Sequence, residues 1–160
     1  MLPTPPLSVR IDDLSALPVR ALIAAHLAGM HEHSPPGTCH ALPVDALRDP
    51  AVTFWSAWRG ESLCGIGALR ALNEEEGEVK SMRTDPSALR QGVAQAVLDA
   101  IVQAARDRGY QRLYLETGTG PAFEAAHALY LRNGFEWCGP FANYTATDFN
   151  VFMCRVLRAS

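Results

Sequence analysis

The segment Leu89-Arg90-Gln91-Gly92-Val93-Ala94 places a glycine and an alanine two positions apart, between a β-type run and a long amphipathic helical run. Small residues at that junction let a ligand approach the backbone. The first amides of a helix lack intrahelical partners and carry the positive end of its dipole, so the junction suits a phosphate or pyrophosphate. The competing reading is a glycine that only permits a tight turn into the helix. No Lys-Ser or Lys-Thr follows Gly92, and the three-glycine dinucleotide pattern is absent, so neither a P-loop nor a Rossmann fingerprint is present. Glu78 and Glu116 lie within strand-forming runs. Glu116 falls near a carboxyl end, where parallel strands present groups to ligands. Strand alternation sets Glu78 on one face with Lys80 and Met82. Either glutamate can serve proton transfer or form a structural ion pair, with Lys80 or Arg83 as partners. His26, His31, His33, Cys39 and His40 supply imidazoles and a thiol within fifteen positions, but without H-E-x-x-H or C-x-x-C spacing. No metal site is expected from them.

Helices and strands must position these groups. Leu7 to Ile11 reads as extended, and Leu17 to Met30 as a first helix with Ser15 as N-cap and Pro18 in its first turn. His31 to Ala41, with Pro35-Pro36-Gly37, reads as a loop, followed by one or two helical turns over Pro43 to Arg48. Val52–Arg59, Ser62–Leu72 and Glu76–Thr84 are β-type runs separated by short polar turns, an antiparallel meander. From Gln91 to Arg108, Val93, Val97, Ile101 and Ala105 form an apolar stripe that ends at Gly109. A strand over Leu113–Thr117, a helix over Pro121–Asn133, a short strand over Phe135–Cys138 and a last strand over Val151–Leu157 complete the chain. Strand, helix and strand in succession call for a right-handed crossover and a parallel pair. The fold class expected is a mixed α/β sheet, with antiparallel N-terminal strands, a parallel central pair and helices on both faces.

The chain has 160 residues, 48% hydrophobic and 19% charged, enough for one core and too short for two ordinary domains. A single domain over residues 1–160 is expected. Fourteen Lys and Arg against seventeen Asp and Glu give a charge of −3, no footprint for nucleic acid or a phospholipid surface. No run reaches the ~20 apolar residues of a spanning helix. The opening MLPTPPLSVR does not read as a secretory signal, which points to the cytoplasm. Cys39, Cys64, Cys138 and Cys154 are widely spaced and suit free thiols in a reducing compartment.

The order of elements and three motifs resemble the GNAT (Gcn5-related N-acetyltransferase) family, most strongly from Glu78 to Phe135. The strand Glu78-Val79-Lys80-Ser81-Met82-Arg83-Thr84 and the loop from Leu89 to Ala94 are similar to the family's strand and its Arg/Gln-x-x-Gly-x-Gly/Ala pyrophosphate loop, with Leu89 in place of the usual Arg or Gln. Ala126-His127-Ala128-Leu129-Tyr130-Leu131-Arg132-Asn133-Gly134-Phe135 resembles the family's Ala-x-x-Leu-Tyr-x-x-x-Gly-Phe helix end. Ser-Met-Arg-Thr, Leu-Glu-Thr-Gly, Cys-Gly-Pro-Phe and Val-Phe-Met are similar to a bacterial subgroup whose acceptor is uncharacterised.

The resemblance implies acetyl-CoA as co-substrate, held by Met82, Arg83 and Thr84 of the strand and by Leu89, Arg90, Gln91, Gly92, Val93, Ala94 and Gln95. It implies Tyr130 as the acid that protonates the leaving thiolate; with reference pKa values of ~10 for a phenol and ~8.5 for a thiol, the site must orient the pair. It implies Glu78 as a general base, with Glu116 or water as alternatives, because an amine acceptor must lose a proton before attack. Acceptor contacts are expected from His31, His33, Ser34, His40, Phe141, Asn143 and Tyr144. The implied activity is direct acetyl transfer to the primary amine of a small molecule or amino acid. The alternative is an acyl-CoA-binding sensor or partner-binding module without turnover. A homodimer through the final strands is also implied.

Overall fold

The apolar stripe of the long central helix requires a sheet to cover it, and the computed structural model, which describes residues 3–157, shows that sheet with seven strands. In chain order the elements are β1 (Leu7–Ile11), α1 (Leu17–His33), α2 (Val44–Leu47), β2 (Val52–Arg59), β3 (Ser62–Ala71), β4 (Glu76–Thr84), α3 (Val93–Asp107), β5 (Arg112–Thr117), α4 (Glu124–Arg132), β6 (Glu136–Cys138) and β7 (Val151–Val156). The strand order is β1-β2-β3-β4-β5-β7-β6. β4 and β5 run parallel, joined by α3, and the other neighbours are antiparallel. The last strand, β7, lies between β5 and β6, a placement with no signature in local sequence.

Alternation along β2 and β3 divides the core into two layers. Trp55, Ala57 and Leu69 face α3, where Val97, Leu98, Ile101 and Ala105 are buried with Leu129 and Tyr130 of α4. Phe54, Trp58, Ile66 and Ala68 face α1 and α2 and meet Val19, Leu22, Ile23 and Leu47. Helices therefore cover both faces. The approach of α3 to β3 depends on glycine: a Cβ at Gly67 would lie 2.5 Å from Val97 Cγ1.

Three local expectations are corrected. The N-cap of α1 is Ala16, without a side-chain capping bond; Ser15 bonds instead to Asp13 Oδ1 through both N and Oγ (3.0 and 2.5 Å), a local turn that competes with capping. Helix α1 continues one turn past Met30 to His33 and stops at Ser34, whose extended backbone (φ −122°, ψ 137°) is the geometry a residue before proline prefers. The segment from Pro121 begins as a 3-10 turn over Pro121–Phe123 before α4.

A fourth correction bears on the site. Ala68 pairs with Lys80 and Ile66 with Arg83, so Gly67 alone opposes Ser81 and Met82. This is a β-bulge, with Ser81 at φ +58°. The extra residue breaks alternation. Glu78 and Lys80 share one face as expected, while Met82 turns to the other and packs on the α3 core.

Candidate active site

The ladder between β4 and β5 extends only from Glu76 to Glu78 on one strand and Arg112 to Tyr114 on the other. Beyond that point, β4 is bulged and β5 pairs with β7 along its other edge, so the two parallel strands leave a cleft between them. A cavity of about 110 Å³ occupies it, lined by Val79 to Met82, by Glu116 and Thr117, by His26 and Met30 from α1, and by Ala126 and Tyr130 from α4. A second cavity of about 430 Å³ is lined by Leu42, Arg70, Leu72, Asn143 and Tyr144. His40, Ala41, Glu78 and Lys80 line both.

Glu78 is 1% exposed. Its Oε2 accepts from Lys80 Nζ (3.1 Å) and Tyr144 Oη (2.6 Å), and Lys80 also donates to Tyr144 Oη (2.8 Å). The other carboxylate oxygen, Oε1, is buried with no partner among the described residues. Burial, and then the Glu78 charge, push the Tyr144 hydroxyl far above its ordinary value, so it stays a donor. Glu116, across the cleft, accepts from His40 Nδ1 and from Asn150 Nδ2. Burial nevertheless raises its carboxyl above the ordinary range, against the opposing effect of those bonds. Both carboxylates thus have structural partners, as an ion-pair reading requires, and both face the cleft.

Tyr130 lies on the α3 side of the cleft, 6% exposed and edge-on to Phe135 at 5.6 Å. Burial raises its phenol, which keeps it protonated over the working pH range. His26 is buried, and its Nδ1 has no partner among the described residues. Burial, with the charges of Arg83 and Lys80, lowers its imidazole to about 4, so the ring is a neutral acceptor facing the cleft.

The loop before α3 reverses through two left-handed residues, Arg90 (φ +63°) and Gly92 (φ +79°), and Gly92 is the N-cap. Gly92 donates no side-chain cap, and a Cβ there would meet nothing within 4 Å. The helix N-terminus therefore lacks a side-chain cap and no side chain crowds Gly92, an arrangement that fits a pyrophosphate. Leu89, Arg90 and Gln91 are exposed, while the Val93 side chain is buried against the sheet. Gln95 exchanges hydrogen bonds with Asn133 at the end of α4 (2.7 and 2.9 Å) and donates to Asp99 (2.8 Å), so its side chain ties the two helices together.

The expected acceptor residues divide. His40, Asn143 and Tyr144 line the cavities. His31 and His33 are exposed on the last turn of α1, Ser34 follows them, and Phe141 is buried in an aromatic cluster, stacked on Tyr114 at 4.8 Å; these four line neither cavity. Among the described residues no three His, Cys, Asp or Glu side chains converge as a metal site. Sequence reasoning weighed His26 only as a metal ligand and passed over Met30, Arg70 and Asn150. A histidine on the apolar Leu22-His26-Met30 face of α1 is a signal that could have found the first; the others depend on register and loop closure.

Residues 20–135 match the Acetyltransferase (GNAT) family model. The chain is 51% identical over 150 residues to the uncharacterised N-acetyltransferase YedL of Escherichia coli, covering 94% of each, and 49% identical over 149 residues to the uncharacterised N-acetyltransferase YsnE of Bacillus subtilis, covering 93% of this chain and 99% of that one. Its fold is similar to a crystal structure described as an acyl-CoA N-acyltransferase from Klebsiella pneumoniae (TM-score 0.77, 29% identity, 95% and 98% coverage). Motif, near-complete sequence similarity and the opened parallel pair agree, and the chain belongs to the GNAT acetyltransferase family.

Proposed function

We propose that residues 1–160 form one domain that transfers an acetyl group from acetyl-CoA to the primary amine of a small molecule or amino acid, directly and within a ternary complex. The observation that carries this reading is the cleft where β4 and β5 part, with Glu78 and Tyr130 both lining it. Bound there, acetyl-CoA supplies an activated acyl group. The uncapped amides of Val93, Ala94 and Gln95 would hold its pyrophosphate, with Leu89, Arg90, Gln91 and Gly92 shaping the approach. Main-chain groups of Met82, Arg83 and Thr84 would hold the pantetheine arm and the acetyl oxygen, since the ladder to β5 ends at Glu78 and leaves the β5-facing edge of β4 open beyond it.

Glu78 takes the proton of the acceptor ammonium at Oε1, the oxygen without a partner. The neutral amine then attacks the carbonyl carbon as the carbon–sulfur bond breaks, Tyr130 gives its proton to the departing sulfur, and the second proton shed by the new amide nitrogen restores the Tyr130 phenol. Glu116 is the alternative base: burial raises its carboxyl, which makes it a stronger proton acceptor, but His40 and Asn150 occupy it. Its partnered state, like that of Glu78, also favours the second reading, a binder of acyl-CoA without turnover.

Calorimetric titration with acetyl-CoA, paired with free-thiol release over a panel of amines, tests both readings. Saturable binding with CoA production supports the transferase; binding without production supports the sensor. The four free cysteines accord with the cytoplasm as its compartment. We also infer a homodimer through the β6–β7 end of the sheet, where β6 is a three-residue edge strand.

A further inference from the structure

We propose that the acceptor carries a carboxylate beside its amine and that Arg70 holds that carboxylate in the larger cavity, an inference that deepens the transferase reading and rests on it.

The argument is one of charge and place. Five titratable groups line the larger cavity, of which Tyr144 stays a neutral hydroxyl. Lys80 and Glu78 neutralise one another at 3.1 Å, and His40 is bonded to the Glu116 carboxylate. That leaves Arg70. Among the described residues no acidic side chain pairs with its guanidinium and no hydrogen bond engages it, so the cavity carries one uncompensated positive charge. A planar fork of N–H donors without a partner matches a carboxylate better than any neutral group.

Register places that charge beside the reacting centre. Arg70 on β3 pairs directly with Glu78 on β4, so their β-carbons are ~5 Å apart on one face of the sheet. An amine delivered to Glu78 therefore has Arg70 within a few bonds' reach, the spacing of the two charged groups in a small amino acid. Leu42 and Leu72 give the cavity an apolar wall for a side chain, and its volume of about 430 Å³ is that of a small-molecule site. The same charge works against competitors: a polyamine would bring a second cation toward Arg70 and Lys80.

The test is CoA release by the full chain with free amino acids, each compared with its own amide and methyl ester, and with aminoalkylphosphonates as a second anion. Free amino acids are expected to show a kcat/KM at least ~10-fold above their amides, through KM. In Arg70→Gln that acid-to-amide ratio should fall ~10-fold, and Arg70→Lys should keep part of it. Arg70 is exposed, so folding of these variants is not at stake. Preference for phosphonates over amino acids would overturn the carboxylate assignment. Equal use of acids, amides and esters would overturn the inference and leave the transferase intact. Failure of every amine to release CoA, with acetyl-CoA still bound, would overturn the transferase reading and this inference with it.

Discussion

Glu78 neutralises a buried lysine and, in the proposed mechanism, must also take a proton at its unpartnered oxygen, two demands that conflict. Glu78→Gln should remove the acidic limb of the kcat/KM profile; a limb that persists assigns the proton to Glu116 or water. The same change leaves Lys80, 9% exposed, without a counter-charge and should cost roughly 3 kcal/mol in a urea melt. The double variant Glu78→Gln/Lys80→Met should recover most of that loss, because it removes the stranded charge. Tyr130→Phe should lower kcat ~100-fold and leave acetyl-CoA affinity nearly unchanged by calorimetry, since the role proposed for the phenol is on the leaving sulfur alone. His26 makes a prediction about stability. Its imidazole falls from 6.5 to about 4 on folding, so between those values the unfolded chain binds a proton that the native chain refuses. Stability is therefore lost as pH falls through that window, by up to roughly 3 kcal/mol. Glu116, raised by burial, slopes the other way just above 4.5, so melting His26→Leu beside the wild type isolates the histidine. The variant should lose less stability between pH 6.5 and 4.

At the scale of elements, the entry to α3 and its contact with the sheet respond differently to added side chains. Gly92→Ala meets open space, so its cost is the left-handed backbone alone, ~1 kcal/mol. Gly92→Glu adds a carboxylate where a pyrophosphate is to sit and should abolish acetyl-CoA binding in the calorimeter while the fold persists; binding that survives would remove this loop from the site. Gly67→Ala is the opposite case. With Val97 Cγ1 at 2.5 Å and Met82 Sδ at 2.7 Å from the new methyl, α3 or the bulge must shift, and thermal melting should show a loss of ~1–3 kcal/mol. The elements themselves were legible: the runs Val52–Arg59 and Glu76–Thr84 coincide with β2 and β4, and the apolar stripe coincides with α3, because alternation and 3.6-residue periodicity are local properties. The bulge was not. Ser81 has no residue type that demands a left-handed backbone, and only the pairing of Gly67 against two residues shows that Met82 has changed faces.

For the whole molecule, the proposed homodimer predicts light scattering at twice the 17.4 kDa chain mass, and a monomer at micromolar concentration would remove it. The intact chain also shows where information resides. The sequence by itself determined the mixed α/β class, the succession of strands and helices, the glycine-bearing loop into α3 and the tyrosine near the end of α4, since each depends on neighbours in the chain. Tertiary structure alone decided that β7 inserts between β5 and β6, that β4 and β5 part after Glu78, and that His40 meets Glu116 across 76 residues and Tyr144 meets Glu78 across 66. It also decided that Arg70 faces Glu78 without an ion-pair partner of its own among the described residues. These relations depend on register and chain closure, which couple distant residues through packing and leave no periodicity in the sequence for a local reading to detect.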